Sequence, residues 1–211
     1  MGRLIGPILG SDVDTVATVG VAIGTIGAVA YALFRDVVVT PRRRPRLELR
    51  FDRAGNDQVV VGTAEGIDAA YVRLRVANGA GKDTADDVVV MLTEVDVAAE
   101  DGARPVHLPL TWSGTSPPLT VSSIHPGSAR HVDLMHVDLA GDDAGQLQLD
   151  LNPKPTGGQD RLEPGAYEMA IEIRGRNADA LRYVVPVSWD GRWSDRAGLW
   201  DHLHAEAPVR S

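Results

Sequence analysis

The sequence predicts a mainly β fold, an antiparallel β-sandwich preceded by one N-terminal transmembrane helix and followed by a short C-terminal helix. Three observations carry this. From Thr15 to Phe34 there is no charged side chain over about twenty positions, the length an α-helix needs to cross a hydrocarbon core of about 30 Å. From Leu47 the hydrophobic period changes from helical to two and recurs in short runs separated by Gly, Pro and Asp. Between those runs no helical pattern intervenes, which is how a sandwich reads.

In chain order, residues 1–12 form a tail and 13–36 the membrane helix. Within the helix Gly20, Gly24, Ala28 and Ala32 recur every four residues, so small side chains share one face on which a second helix can pack closely. Basic residues follow at once: Arg35, Arg42, Arg43, Arg44 and Arg46. Such a cluster is retained on the cytoplasmic side during insertion, so the C-terminal domain is expected in the cytoplasm, with anionic lipid as a partner for the arginines. Ala28-Val29-Ala30 offers a rival signal-peptide cleavage pattern, but the apolar run is too long for one and bulky Leu33-Phe34 follows the cut. Pro41 and Pro45 predict a stiff extended linker over 37–46, with any helix ending at Pro41.

The sandwich is expected over 47–192. Leu47, Leu49 and Phe51 alternate with Glu48 and Arg50, and Val59 to Val61 follows the turn residues Gly55-Asn56-Asp57. Val72, Leu74 and Val76 share one face of the next strand and Tyr71, Arg73 and Arg75 the other, where Arg73 and Arg75 read as solubilising edge charges. Asn78-Gly79-Ala80-Gly81 is a turn, and Val88 to Val97 a buried strand. Shorter runs cover Leu108 to Trp112, Leu119 to Ile124, Arg130 to Leu139 and Gln146 to Leu151. The alternation is clearest from Tyr167 to Ile173 and from Tyr183 to Trp189, where Pro186 predicts an edge position. In the last segment, 193–211, Ser194 caps a short helix reaching His204. Leu199, Trp200 and Leu203 lie on its one side, either packed on the sandwich or offered to a partner.

Composition excludes some functions. The chain of 211 residues has no cysteine, so disulfides and thiolate metal sites are out. Its net charge is -8, and the excess of acid lies in residues 45–211, where 16 basic side chains stand against 26 acidic ones, which argues against nucleic acid as a partner. Gly79-Ala80-Gly81-Lys82 fails as a phosphate loop because Asp83 stands where a magnesium-binding hydroxyl belongs and no helix follows. His131 and His136 are an odd number apart on one strand, which places them on opposite faces and disfavours a metal site with Asp133 and Asp138. Ser128 lacks a nucleophile-elbow context, and Asp86-Asp87 and Asp142-Asp143 lack calcium-loop spacing. No catalytic residue and no cofactor are therefore expected.

Two stretches carry a resemblance. Tyr71 to Val95, YVRLRVANGAGKDTADDVVVMLTEV, and Leu162 to Asn177, LEPGAYEMAIEIRGRN, resemble bacterial immunoglobulin-like sandwich domains of the cell-adhesion-related kind. The first gives an alternating strand, a turn and a second strand; the second gives a Leu-x-Pro-Gly-x-Tyr lead-in to a hairpin. The turn departs from the family's Asn-x-Gly. The resemblance implies an immunoglobulin-like fold and a binding or spacing module, and supplies no catalytic residue. The expectation is a membrane-tethered, non-enzymatic interaction or scaffold module that binds a protein partner or self-associates through its helix. The alternatives are a ligand-binding or enzymatic sandwich with a shallow acidic pocket at Thr111 to Ser116 and Ala140 to Gly145, or a structural subunit of a membrane assembly.

Overall fold

The computed structural model describes residues 11–53, 55, 57–62, 68–97, 103–115, 117–140, 144–192 and 198–211. The tail before Ser11, Ser116, the Asp142-Asp143 pair and the Ser194 cap lie outside them. The chain divides into two units, Met1–Arg44 and Pro45–Ser211.

The first unit is helical. Helix α1 (Ser11–Phe34) runs without a break into a π-turn at Arg35–Val39 and then into α2 (Thr40–Arg43). Gly24, Ala28 and Ala32 of the small-residue stripe are exposed, and a Cβ added at Gly24 would meet nothing within 4 Å. Among the described residues no helix is long and apolar enough to cross a membrane, so the expected span is not shown. The extended linker is a correction: the backbone stays helical through Pro41 and turns extended only at Arg44 (φ -49°, ψ 138°). The reason is the π-turn. It lengthens the ladder by one residue, so the Thr40 amide and Oγ1 both donate to the Arg35 carbonyl, the latter at 3.0 Å. Pro41 then stands in the first turn of α2, where a missing N–H costs little.

The second unit is a two-sheet antiparallel β-sandwich, consistent with an immunoglobulin-like fold in general. Its strands are β1 (Leu47–Arg50), β2 (Gln58–Gly62), β3 (Asp68–Asn78), β4 (Ala85–Val97), β5 (Arg104–Pro109), β6 (Thr111–Trp112), β7 (Val121–Ile124), β8 (Ala129–Asp138), β9 (Leu147–Leu149), β10 (Arg161–Leu162), β11 (Gly165–Gly175), β12 (Ala178–Trp189), β13 (Leu203–Ala205) and β14 (Val209–Arg210). One sheet has the order β1-β3-β8-β9-β10, with β2 also on β3 and β6 also on β8. The other has the order β13-β12-β11-β4-β5, with β14 also on β12 and β7 also on β4. The single predicted run Leu108 to Trp112 is in fact split. The chain leaves one sheet at Pro109, passes through buried Leu110 and joins the other sheet at Thr111.

Between the sheets Leu74, Val76, Leu134 and Leu149 meet Leu92, Ile171, Ile173 and Val185 in one continuous core. Asn78 closes one end of it. Its Oδ1 accepts the Arg46 amide at 3.1 Å, and its Nδ2 donates to the carbonyls of Asp83 (2.8 Å) and Ile124 (3.1 Å). One buried amide thus ties the start of β1 to two turns. In the Leu162-to-Asn177 stretch the Tyr167 hydroxyl donates to the Glu163 carbonyl, a tyrosine-corner contact that fixes the chain as it enters β11. Gly191, at φ 79°, has no room for a side chain, because a Cβ there would stand 2.5 Å from Pro164 Cγ.

The C-terminal segment differs from its expectation. Among its described residues only α3 (Leu199–His202) is helical, and β13 and β14 beyond it pair with β12. The tail covers the outer edge of β12, and Pro186 falls between its two short pairings, where its carbonyl accepts the Glu206 amide at 3.0 Å. Leu199 and Leu203 are fully buried and Trp200 packs against the same core. Leu199 and Leu203 thus pack inward, while Trp200 is half-buried.

Candidate functional site

The site begins with an irregularity in the β3–β8 ladder. Val72 pairs with Met135, but Arg73 pairs with Asp133, so Leu134 is an extra residue on β8. Leu134 and Met135 are consecutive and both fully buried, as a β-bulge requires. The bulge shifts the phase of the strand. His131 and Asp133 before it, and His136 after it, now face the same outer side, opposite Arg75, Arg73 and Tyr71. The sequence-based placement of the two histidines on opposite faces is therefore corrected. The bulged Leu134 carbonyl also accepts the Asp150 amide at 3.1 Å, which brings a second carboxylate beside the stripe.

The groups so gathered form a chain of ion pairs. Asp57, only 1% exposed, accepts the Asp52 amide at 2.7 Å and lies 2.8 Å from His131 Nε2. Asp133 Oδ1 accepts from Arg73 Nε at 2.8 Å and from the Ser113 hydroxyl at 2.5 Å. The Arg73 guanidinium lies 5.3 Å from the Tyr71 ring centroid, and the His136 ring meets the same ring at 5.3 Å. His136 Nδ1 is 2.9 Å from Asp150 Oδ1, with Asp138 at 3.9 Å from Nε2. Arg73 and Arg75 are thus not edge charges, since β3 is paired on both sides and each arginine faces a carboxylate.

The two kinds of ion pair in this domain differ in weight. Glu48–Arg50 on the surface is more than half exposed at both ends and contributes less than about 1 kcal/mol. The Arg73–Asp133 side chains are 18% and 11% exposed, so removing one partner would strand a desolvated charge at a cost of about 3 kcal/mol. Burial pushes the Asp133 carboxyl up from its ordinary range, with the Asp150 charge adding to the effect against the pull of Ser113 and Arg73. Burial opposes charging of His136, but the Asp150 hydrogen bond and the Asp150 and Asp138 charges outweigh it and leave the imidazole raised. Burial and the same carboxylates push the Tyr71 phenol up to about 12, so it stays a neutral donor.

Beside this stripe lies a cleft of about 650 Å³, within the size range of small-molecule sites. Tyr71, Arg73, Asp133, Asp150 and Lys154 supply its polar wall, and Val61, Pro118 and Leu151 an apolar one. Of the two loops singled out in the sequence for a shallow acidic pocket, the first contributes Thr111, Trp112, Gly114 and Thr115, while the described part of the second lies elsewhere. Sequence reasoning missed Asp57, Asp150 and Lys154, which only the topology brings to the site. The one available signal was the adjacent apolar pair Leu134-Met135, where the alternation of β8 changes phase.

The remaining candidates are not drawn together. Ser128 Oγ donates to the His125 carbonyl, so it forms no triad with His131 and Asp133. Asp86 and Asp87 face Arg176, and His202 faces Asp190 at 2.7 Å. No metal-holding group of three His or acidic side chains occurs among the described residues. Arg35, Arg42, Arg43, Arg44 and Arg46 are exposed. Comparison with protein-family models, with characterised proteins and with solved structures returns no match for this chain.

Proposed function

We propose that the chain is a membrane-tethered binding module that captures a small molecule in the cleft beside Tyr71, Arg73 and Asp133. The observation that carries this is the desolvated ionic stripe on the outside of a sheet, where charged side chains ordinarily stand in water. Binding is favoured over hydrolysis because the His136 nitrogens are turned to Asp150 and Asp138, and the Ser113 hydroxyl is held by Asp133. The uncharged run through Phe34 and the arginines after it support a single-pass anchor with the sandwich on the cytoplasmic side.

Three measurements test these parts separately. In a thermal-shift screen of the full chain, stabilising small molecules should lose their effect in Arg73→Met; hits indifferent to that substitution contradict the cleft reading. Alkaline carbonate should leave the protein in the membrane pellet, and release into the supernatant would remove the anchor. Cysteines introduced at Ser11 and at exposed Ser123 should differ on intact cells, an impermeant maleimide labelling only the first.

A further inference from the structure

We propose that the cleft recognises a small monocarboxylate with an apolar body, gripped at its head by Arg73 and Lys154. The inference rests on the binding reading above and names its ligand class.

Arg73 uses Nε for Asp133, and its Nη1 and Nη2 have no hydrogen-bond partner among the described residues. The guanidinium is nevertheless fixed, by Asp133 on one side and the Tyr71 ring on the other. An arginine held in one orientation with its fork uncommitted is preorganised for a planar oxyanion. Lys154 lines the same cleft, is exposed and has no ion pair among the described residues, so a second cation can close on the ligand. The carboxylates are differently placed. Asp133 Oδ1 already accepts two hydrogen bonds, which leaves its Oδ2 open; Asp150 Oδ1 faces His136, and Asp150 Oδ2 has no hydrogen-bond partner but is sealed from solvent, out of a ligand's reach. An ammonium ligand therefore finds fewer open partners than an anion does.

Charge narrows the class further. Two acids and two cations line the cleft, so it is neutral before a ligand enters; a monoanion adds one negative charge and a phosphate dianion two, which disfavours the dianion. Val61, Pro118 and Leu151 then offer an apolar seat for the remainder of the molecule. Tyr71 already carries the Arg73 guanidinium over its ring and the tilted His136 ring 5.3 Å away, which leaves it a poor stacking platform for a sugar.

The test varies the head and keeps the body. The full chain in detergent micelles, labelled with [15N]arginine, is titrated with benzoate, benzylamine, benzyl alcohol and inorganic phosphate. The Arg73 Nε–H resonance is identified by its loss in Arg73→Lys. Benzoate should shift that resonance saturably, and Lys154→Met, at an exposed position that leaves the fold intact, should weaken benzoate about tenfold. Tighter binding of benzylamine, benzyl alcohol or phosphate overturns the carboxylate assignment and leaves the binding cleft standing. A cleft indifferent to all four probes overturns both readings.

Discussion

At the scale of single residues, the buried polar groups decide more than the surface charges do. Asn78 is nearly inaccessible and its side chain makes three hydrogen bonds to backbone from three segments. Asn78→Ala leaves one amide and two carbonyls without their partner, and should lower unfolding stability by about 3 kcal/mol in urea titration, with little change in slope. His136 and Asp133 give a prediction about pH. Both hold protons more tightly folded than unfolded, so the stability each contributes is complete below its unfolded pKa and lost as pH rises through its folded pKa. For His136 that loss begins in the ordinary imidazole range and extends upward. Melting temperatures across that range should fall for the parent and run flatter for His136→Asn; parallel curves would show that the imidazole is not coupled to folding. The carboxylates of buried Glu172 and exposed Glu48, lowered first by their arginine hydrogen bonds, act in the opposite sense and at lower pH.

At the scale of elements, legibility followed the period. Most strands from Leu47 to Trp189 are found where residues alternate, because an inward Val72-Leu74-Val76 face has only one way to be buried; β10 and the start of β5 at Arg104 fall outside the expected runs. What alternation cannot convey is an interruption of itself. The Leu134 bulge looks in sequence like a strand with histidines on opposite faces, and it is the bulge that assembles the site. The helix beyond Phe34 was misjudged because Pro41 ends a regular α-ladder but can begin a new turn after a π-turn. The tail was misjudged because Leu199 and Leu203 are spaced for a helix, while the unpaired edge of β12 draws Leu203 into a strand. For α1, the exposed Gly24-Ala28-Ala32 stripe makes a direct prediction. If two copies pack there, Gly24→Ile should abolish self-association in a membrane reporter assay; unaltered association would remove the stripe from the interface.

At the scale of the whole molecule, the chain divides between Arg44 and Pro45 into two compact units. The core of the second unit draws only on residues from Leu47 onward, so Pro45–Ser211 alone should give a β-type circular dichroism spectrum and a cooperative melt. A helix-dominated or non-cooperative signal would contradict that independence. The candidate site lies wholly within this unit, which makes its occupancy open to direct observation. The central claim is that the cleft beside the bulge binds a small molecule, and crystals of Pro45–Ser211 soaked with a library of small fragments test it most directly. Fragments should collect between Arg73, Lys154 and Leu151, and carboxylates among them should point their head groups at Arg73. Fragments that collect elsewhere on the sandwich and leave this cleft empty would contradict it.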